Sequence, residues 1–224
     1  MPLELAEAIA QLTDARSPRR RAAAKRLRAL ADPAAGPPLL SALEREILDR
    51  RTWETQYQMI MAVATCGHQP ALPLLRELAL KPFDATMVYV ALGDGIVRLG
   101  RDYPNDPAPV DWCLATGNDM LADGALRAVA MLRLTLDAFA IARILNFVSA
   151  RDPYDGLKFW PAAAAAGWNG RRVKAFLNRC ATSPRKDVAE AAKASLQGRY
   201  KTYRPLLLCP HQPDCRHGGA DEVL

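Results

Sequence analysis

The stretch Ser17-Pro18-Arg19-Arg20-Arg21-Ala22-Ala23-Ala24-Lys25-Arg26-Leu27-Arg28-Ala29-Leu30 (SPRRRAAAKRLRAL) places six basic residues within the ten positions from Arg19 to Arg28. It reads either as a nucleic-acid-binding arm or as one helix of a larger array. At 100° per residue, Ala23, Leu27 and Leu30 fall on one side, and Arg21, Lys25 and Arg28 fall on the other at i, i+4 and i+7. Ser17 before Pro18 supplies a cap followed by proline at the first helical position. Asp32-Pro33 and Gly36-Pro37-Pro38 then end the pattern. The stretch is therefore an amphipathic helix. Its narrow, alanine-rich apolar face lets a neighbouring helix come close.

The same two-helix phrase recurs down the chain. After the basic helix comes Leu39, Leu40, Leu43, Ile47 and Leu48. Met59, Ile60, Ala62 and Val63 lead through Gly67-His68-Gln69-Pro70 to Leu74, Leu75 and Leu78, which repeat Leu39, Leu40 and Leu43 at an offset of 35, as Pro73 repeats Pro38. A third unit runs from about Thr86 through Ile96, Val97 and Leu99 to Val110–Leu114, a fourth from Leu126 to Val148, and a fifth from Phe159 through Gly167–Gly170 to Leu177. A last helix opens Ser183-Pro184-Arg185, matching Ser17-Pro18-Arg19, and continues through Val188, Ala192 and Leu196. Almost no segment alternates as a half-buried strand does. Helix pairs recurring every thirty-odd residues predict an α-solenoid, in which stacking alone makes the core.

The chain resembles the HEAT-repeat family in its short bacterial form. The resemblance is carried by Arg19–Leu30, by Pro37-Pro38-Leu39-Leu40 and Pro70-Ala71-Leu72-Pro73-Leu74-Leu75, and by Lys186-Asp187-Val188-Ala189-Glu190-Ala191-Ala192. It extends over residues 17–200 and is strongest in the first two repeats. The third unit departs most: Gly93 and Gly95 lie inside a helix at about 1 kcal/mol each relative to alanine, and Tyr103–Pro109 (YPNDPAP) stretches a turn. An irregular repeat is the expectation there, and Gly93-Asp94-Gly95 is too short to signal a site. The expected fold is all-α, a right-handed α-α superhelix of about five HEAT-like helix pairs. It occupies residues 1–204, with a capping helix at 1–15, repeats at 17–204 and an irregular tail at 205–224. The resemblance implies a non-enzymatic scaffold or adaptor that grips a macromolecular partner, most readily a protein, on a concave face lined by the second helix of each pair.

The net charge is +6, which favours an anionic partner, but its distribution is uneven. Residues 1–28 carry +4, residues 29–157 carry −5, residues 158–204 carry +9 and the tail carries −2. The C-terminal block supplies the candidate partner-binding residues Arg171, Arg172, Lys174, Arg179, Lys186, Lys193, Arg199, Lys201 and Arg204, with Lys158 and Arg185 nearby and Tyr200 and Tyr203 interleaved. Basic groups among tyrosines could contact phosphates and stack bases, so nucleic-acid binding is the alternative reading.

The remaining candidates are weaker. Cys209, His211, Cys215 and His217, with Asp214, pair the ligand types of a zinc site, but C-x-H-x3-C-x-H lacks the C-x2-C knuckle. No metal or cofactor is expected. Cys66, Cys113 and Cys180 fall in apolar helices and read as buried thiols, and His68 lies in a turn. No GxSxG, HExxH, phosphate-loop or dinucleotide fingerprint is present. Trp53, Trp112, Trp160 and Trp168, with Asp111 or Asp155, carry a faint resemblance to the HEAT-like alkylpurine DNA glycosylases, in which tryptophans and an aspartate line a basic groove. No motif matches residue by residue, and no enzyme is expected. Five scattered cysteines, no apolar leader in MPLELAEAIAQLTDARS and no uninterrupted apolar span point to a cytoplasmic protein without a membrane partner.

Overall fold

A computed structural model describes residues 3–201. Among these residues there are twelve α-helices and no strand: α1 Leu3–Gln11, α2 Ser17–Leu30, α3 Gly36–Glu46, α4 Trp53–Thr65, α5 Leu72–Ala79, α6 Met87–Leu99, α7 Ala108–Ala115, α8 Asp119–Met131, α9 Ala138–Ser149, α10 Phe159–Ala164, α11 Arg171–Cys180 and α12 Lys186–Leu196. The all-helical expectation holds. Local chemistry sets many of the boundaries. Asn118 accepts from the Met120 and Leu121 N–H groups, and Asp137 from those of Phe139 and Ala140. Asp32, Asp49 and Asp155 each cap a short 3₁₀ turn in the same way. The basic helix starts differently from the expectation: Arg16 is its N-cap, and the Ser17 hydroxyl lies 2.7 Å from the Thr55 hydroxyl on α4. A buried hydroxyl partner on the next inner helix replaces the cap.

The helices stack in two rows. The even-numbered helices α2, α4, α6, α8, α10 and α12 pack on one another in sequence, and each of α1, α3, α5, α7 and α11 packs on the even helix that follows it. Helices consecutive in the chain therefore pack odd to even, one helix out of phase with the phrasing read from sequence. Outer helices α3, α5 and α7 pack only marginally on one another, so the even row is the tighter, inner one. The face lined by α2 to α12 consists of the helices that sequence reading places first in each pair.

This geometry corrects the assignment of faces on α2. Leu30, expected in the core, is 39 % exposed, whereas Ala24 is buried and Arg28, expected on the solvated stripe, is 8 % exposed. The helix sits between α1 and α4 with one flank turned to the inner face, so its solvated arc is narrower than a surface helix allows.

The row is tightest between α6 and α8. A Cβ on Gly93 would stand 2.0 Å from the Leu121 carbonyl oxygen, and one on Gly124 would stand 2.1 Å from that of Val90. The two backbones thus touch through reciprocal glycines, and the helix-weakening cost read at Gly93 is offset by contact that no side chain permits. Gly124→Ala is expected to force the helices apart and cost about 3 kcal/mol or more, lowering the melting temperature by roughly 6–12 °C. Gly156→Ala, where nothing approaches closer than 3.5 Å, should shift it little. Thermal melts followed by circular dichroism measure both.

Candidate functional site

Residues 33 apart meet along the inner row. Arg127 on α8 reaches Asp94 on α6, 33 positions back, and Met61 on α4, 66 positions back. Counting in the same step, Arg28, Met61, Asp94, Arg127, Trp160 and Lys193 form one rank across α2, α4, α6, α8, α10 and α12. Three of its members are almost entirely enclosed: Met61 and Asp94 at 0 % and Arg127 at 4 % exposure.

Asp94 is the hub. Arg127 Nη1 donates to Asp94 Oδ2 at 2.7 Å and touches Met61 Sδ at 3.8 Å, and its guanidinium lies 6.0 Å from the centre of the Trp160 ring. Arg98, one turn along α6, donates from Nε to Asp94 Oδ1. Burial pushes the Asp94 carboxyl up, but the charges of Arg98 and Arg127, the Arg98 hydrogen bond and the charge of Arg28 together hold it below the usual carboxylate value. Arg28 completes the group from α2. Burial first, then the Arg127 charge, weakens its hold on its proton, with Arg98 adding to this and Tyr57 and Asp94 opposing it. Two guanidinium groups thus hold one fully buried carboxylate, and the charge of a third, Arg28, acts on it from α2.

Asp123 lies one turn before Arg127 on α8, beside Trp160. Burial pushes its carboxyl up to about 6, with Arg127 and the Trp160 indole donor pulling it down and the Asp155 charge pushing it further up. Around the cluster the inner face carries methionines. Met87 and Met120 precede Asp94 and Arg127 by seven residues, and Met131 follows Arg127 by four, so all three share the face of the rank. Met87 is exposed, and Met120, Met131 and Trp160 are half-buried.

The basic residues of α2 are largely spent within the protein. Arg19 pairs with Asp14, Arg20 with Glu46 in a bidentate bridge, Arg21 with Glu54 and Arg26 with Glu7. Among the described residues, Lys25 and Arg28 carry no ion pair. The C-terminal block divides. Arg171, Arg172 and Lys174 lie in the first turn of α11, and Arg179 lies in its last. Because α11 and α12 are joined by a short turn, Arg179 and Lys186 share one end of this pair, while Arg171, Arg172 and Lys174 lie at the other end with Lys193, Arg199 and Lys201. The two groups stand about 15 Å apart, the length of a ten-residue helix. Arg172 donates to Asn146, Arg199 to Gln197 and Lys201 to Glu190, and Tyr200 lies under the Arg133 guanidinium. Arg179 also edges a cavity of about 360 Å³ together with Ser149, Arg151, Lys158 and Ser183. Arg204, Tyr203 and the tail residues Cys209, His211, Asp214, Cys215 and His217 lie outside the described residues.

The tryptophan and aspartate pairs weighed from sequence are not brought together as imagined. Asp111 pairs with Arg143, Trp112 lies under Arg76, and Trp168 is buried with its indole N–H on the Leu134 carbonyl. Trp160 does meet an aspartate, but it is Asp123, with Asp155 capping the adjacent 3₁₀ turn. Gly93-Asp94-Gly95, dismissed as a signal, holds the centre of the inner face. A 33-residue comb applied to the polar residues of the first helices would have found it. Cys66, Cys113 and Cys180 are buried, and burial pushes their thiols to about 11, 12 and 11. Among the described residues, no group of three or more His, Cys, Asp and Glu side chains could hold a metal ion, and no helix is long and apolar enough to cross a membrane.

Two substitutions test this electrostatic reading. Asp94→Asn leaves Arg98 and Arg127 facing each other without a buried counter-charge, and a loss of about 3–5 kcal/mol in denaturant unfolding is expected. Because the folded carboxyl of Asp94 sits low, its contribution is present above the unfolded value and is lost only as pH falls through the folded one. Asp123 acts with the opposite sign. Its carboxyl rises from 3.8 to about 6 on folding, so it lowers stability as pH rises across that interval. Asp123→Asn is therefore expected to melt above the parent near neutral pH, by roughly 1–2 kcal/mol, with the difference closing towards pH ~4.

A family model for the PBS lyase HEAT-like repeat matches residues 19–45, which span most of α2, the following turn and most of α3. A comparison with curated proteins finds no match. Residues 19–45 are thus similar to a HEAT-like repeat, and the alternation of inner and outer helices continues from there to α12.

Proposed function

We propose that the protein is a non-enzymatic scaffold that binds a protein partner along its inner helix row. HEAT-like repeats commonly mediate protein interaction, and stacked repeats offer one long continuous surface for it. The observation that carries the reading is the set of methionines Met87, Met120 and Met131 with Trp160 around the buried arginine cluster. Methionine is flexible and polarizable, so it adapts to an irregular apolar partner, and an aromatic ring and arginines are the groups that most often anchor such contacts. A nucleic-acid backbone would be served poorly at the centre of this row, because α4, α6 and α8 together carry four acidic and two basic residues.

Cross-linking mass spectrometry from the native cell, compared between the parent chain and Met87→Lys/Met120→Lys, tests the reading. The variant should fold with the parent's helical signal and lose the cross-links that map to α6 and α8, by about tenfold or more. Cross-links that persist unchanged in the variant overturn it. Sub-micromolar binding of labelled DNA or RNA near physiological salt, weakened by Arg171→Glu/Arg172→Glu/Lys174→Glu, would favour nucleic acid instead.

A further inference from the structure

Arg28 poses a problem that the rest of the inner face does not solve. It is 8 % exposed, yet it makes no hydrogen bond or ion pair among the described residues. The charged groups whose fields act on it are Arg127, Asp94 and Arg98. Asp94 is already engaged by the other two arginines, one on each carboxylate oxygen. The cluster therefore holds three permanent positive charges against one negative charge. Asp123 adds a second carboxyl beside Arg127; burial pushes it up to about 6, so at neutral pH it is largely ionised and one positive charge is left in excess. A buried charge without a partner is among the least favourable arrangements a protein interior can hold, and such groups are normally paired. Arg28 and Arg98 both retain a margin of solvent contact, with the Arg98 side chain 18 % exposed, so the unpaired charge opens to the inner face.

We propose that the Arg28–Arg98–Arg127 cluster is an anion site that takes one carboxylate, supplied by an aspartate or glutamate of the protein partner. The assignment rests on the scaffold reading and deepens it by naming the chemistry that the partner presents. A planar carboxylate matches the fork geometry of a guanidinium, and a single negative charge brings the cluster close to neutrality. The flanking methionines and Trp160 suit an acidic side chain set among apolar residues. A polyphosphate backbone carries repeated charge into a net acidic stretch of the array and gains little beyond the first contact. In this arrangement Arg28 lowers the stability of the free protein and repays it when the partner docks.

Thermal unfolding of the full chain and of Arg28→Met, at matched ionic strength in sodium chloride, sodium glutarate and inorganic phosphate, tests the site. A capped peptide with one central glutamate among leucines, its glutamine twin and a short single-stranded DNA test the partner chemistry. Arg28→Met is expected to melt at or above the parent in chloride. Glutarate should raise the parent's melting temperature by about 2–4 °C and leave the variant's unchanged. The glutamate peptide should bind the parent at least about tenfold more tightly than its twin, and that preference should vanish in the variant. A variant that melts several degrees lower, with glutarate acting on both proteins alike, makes Arg28 a structural residue and overturns the site. Phosphate and DNA acting through Arg28 more strongly than glutarate and the glutamate peptide overturn the carboxylate assignment and the protein reading with it. If neither anion acts through Arg28 while Met87→Lys/Met120→Lys still abolishes the cross-links, the site fails and the scaffold reading survives.

Discussion

The structure depends on the seam where α6 and α8 touch backbone to backbone and lock a carboxylate between two guanidinium groups. Gly93 and Gly124 make the contact possible, because any side chain at either position would collide with the carbonyl oxygen across the seam. Close approach brings Asp94 within hydrogen-bond distance of Arg127 and seals both from water. In a low dielectric that pair has strong geometric preferences, so it sets the register of one helix against the next. Bridging from α8 across α6 to Met61 on α4, Arg127 extends the same register over three inner helices.

The period of 33 follows from this register. Adjacent inner helices point the same way, and a fixed residue offset puts equivalent positions side by side. The step recurs where no charge is involved: the Ser195 hydroxyl on α12 donates to the carbonyl of Ala162 on α10, 33 positions back. Outer helices are not bound by this rule, since they touch one another little. That freedom explains why Pro38 and Pro73 repeat at 35 while the inner rank keeps 33. Loop length is absorbed on the outside of the array, where it is tolerated.

Charge divides along the same line. The basic residues at the start of α2 are mostly neutralised by acidic partners from α3, α4 and the turn before α2, so the stretch that looked like an arm is an internally paired helix. Among the described residues, the positive charge left unpaired includes the solvated ends of α11 and α12 and, enclosed at 8 % exposure, Arg28. Only the second carries an energetic penalty in the free protein, which is why the inner face, rather than the more basic C-terminal block, is the better candidate for selective recognition.

Periodicity and punctuation alone determined the helices, their approximate limits and the repeat character. Apolar spacing near 3.6 and breakers such as Asp32-Pro33 and Gly67 act locally, and local signals are legible in a chain. Buried thiols at Cys66, Cys113 and Cys180 were legible for the same reason. Which helix pairs with which, and which row faces inward, was decided only by tertiary packing. A helix flanked on both sides buries an arc that its own sequence does not advertise, so Arg28 looked solvated and Leu30 looked buried. Gly93-Asp94-Gly95 looked like a weak point because the glycine that answers it, Gly124, lies thirty-one residues away and acts only when the two backbones meet.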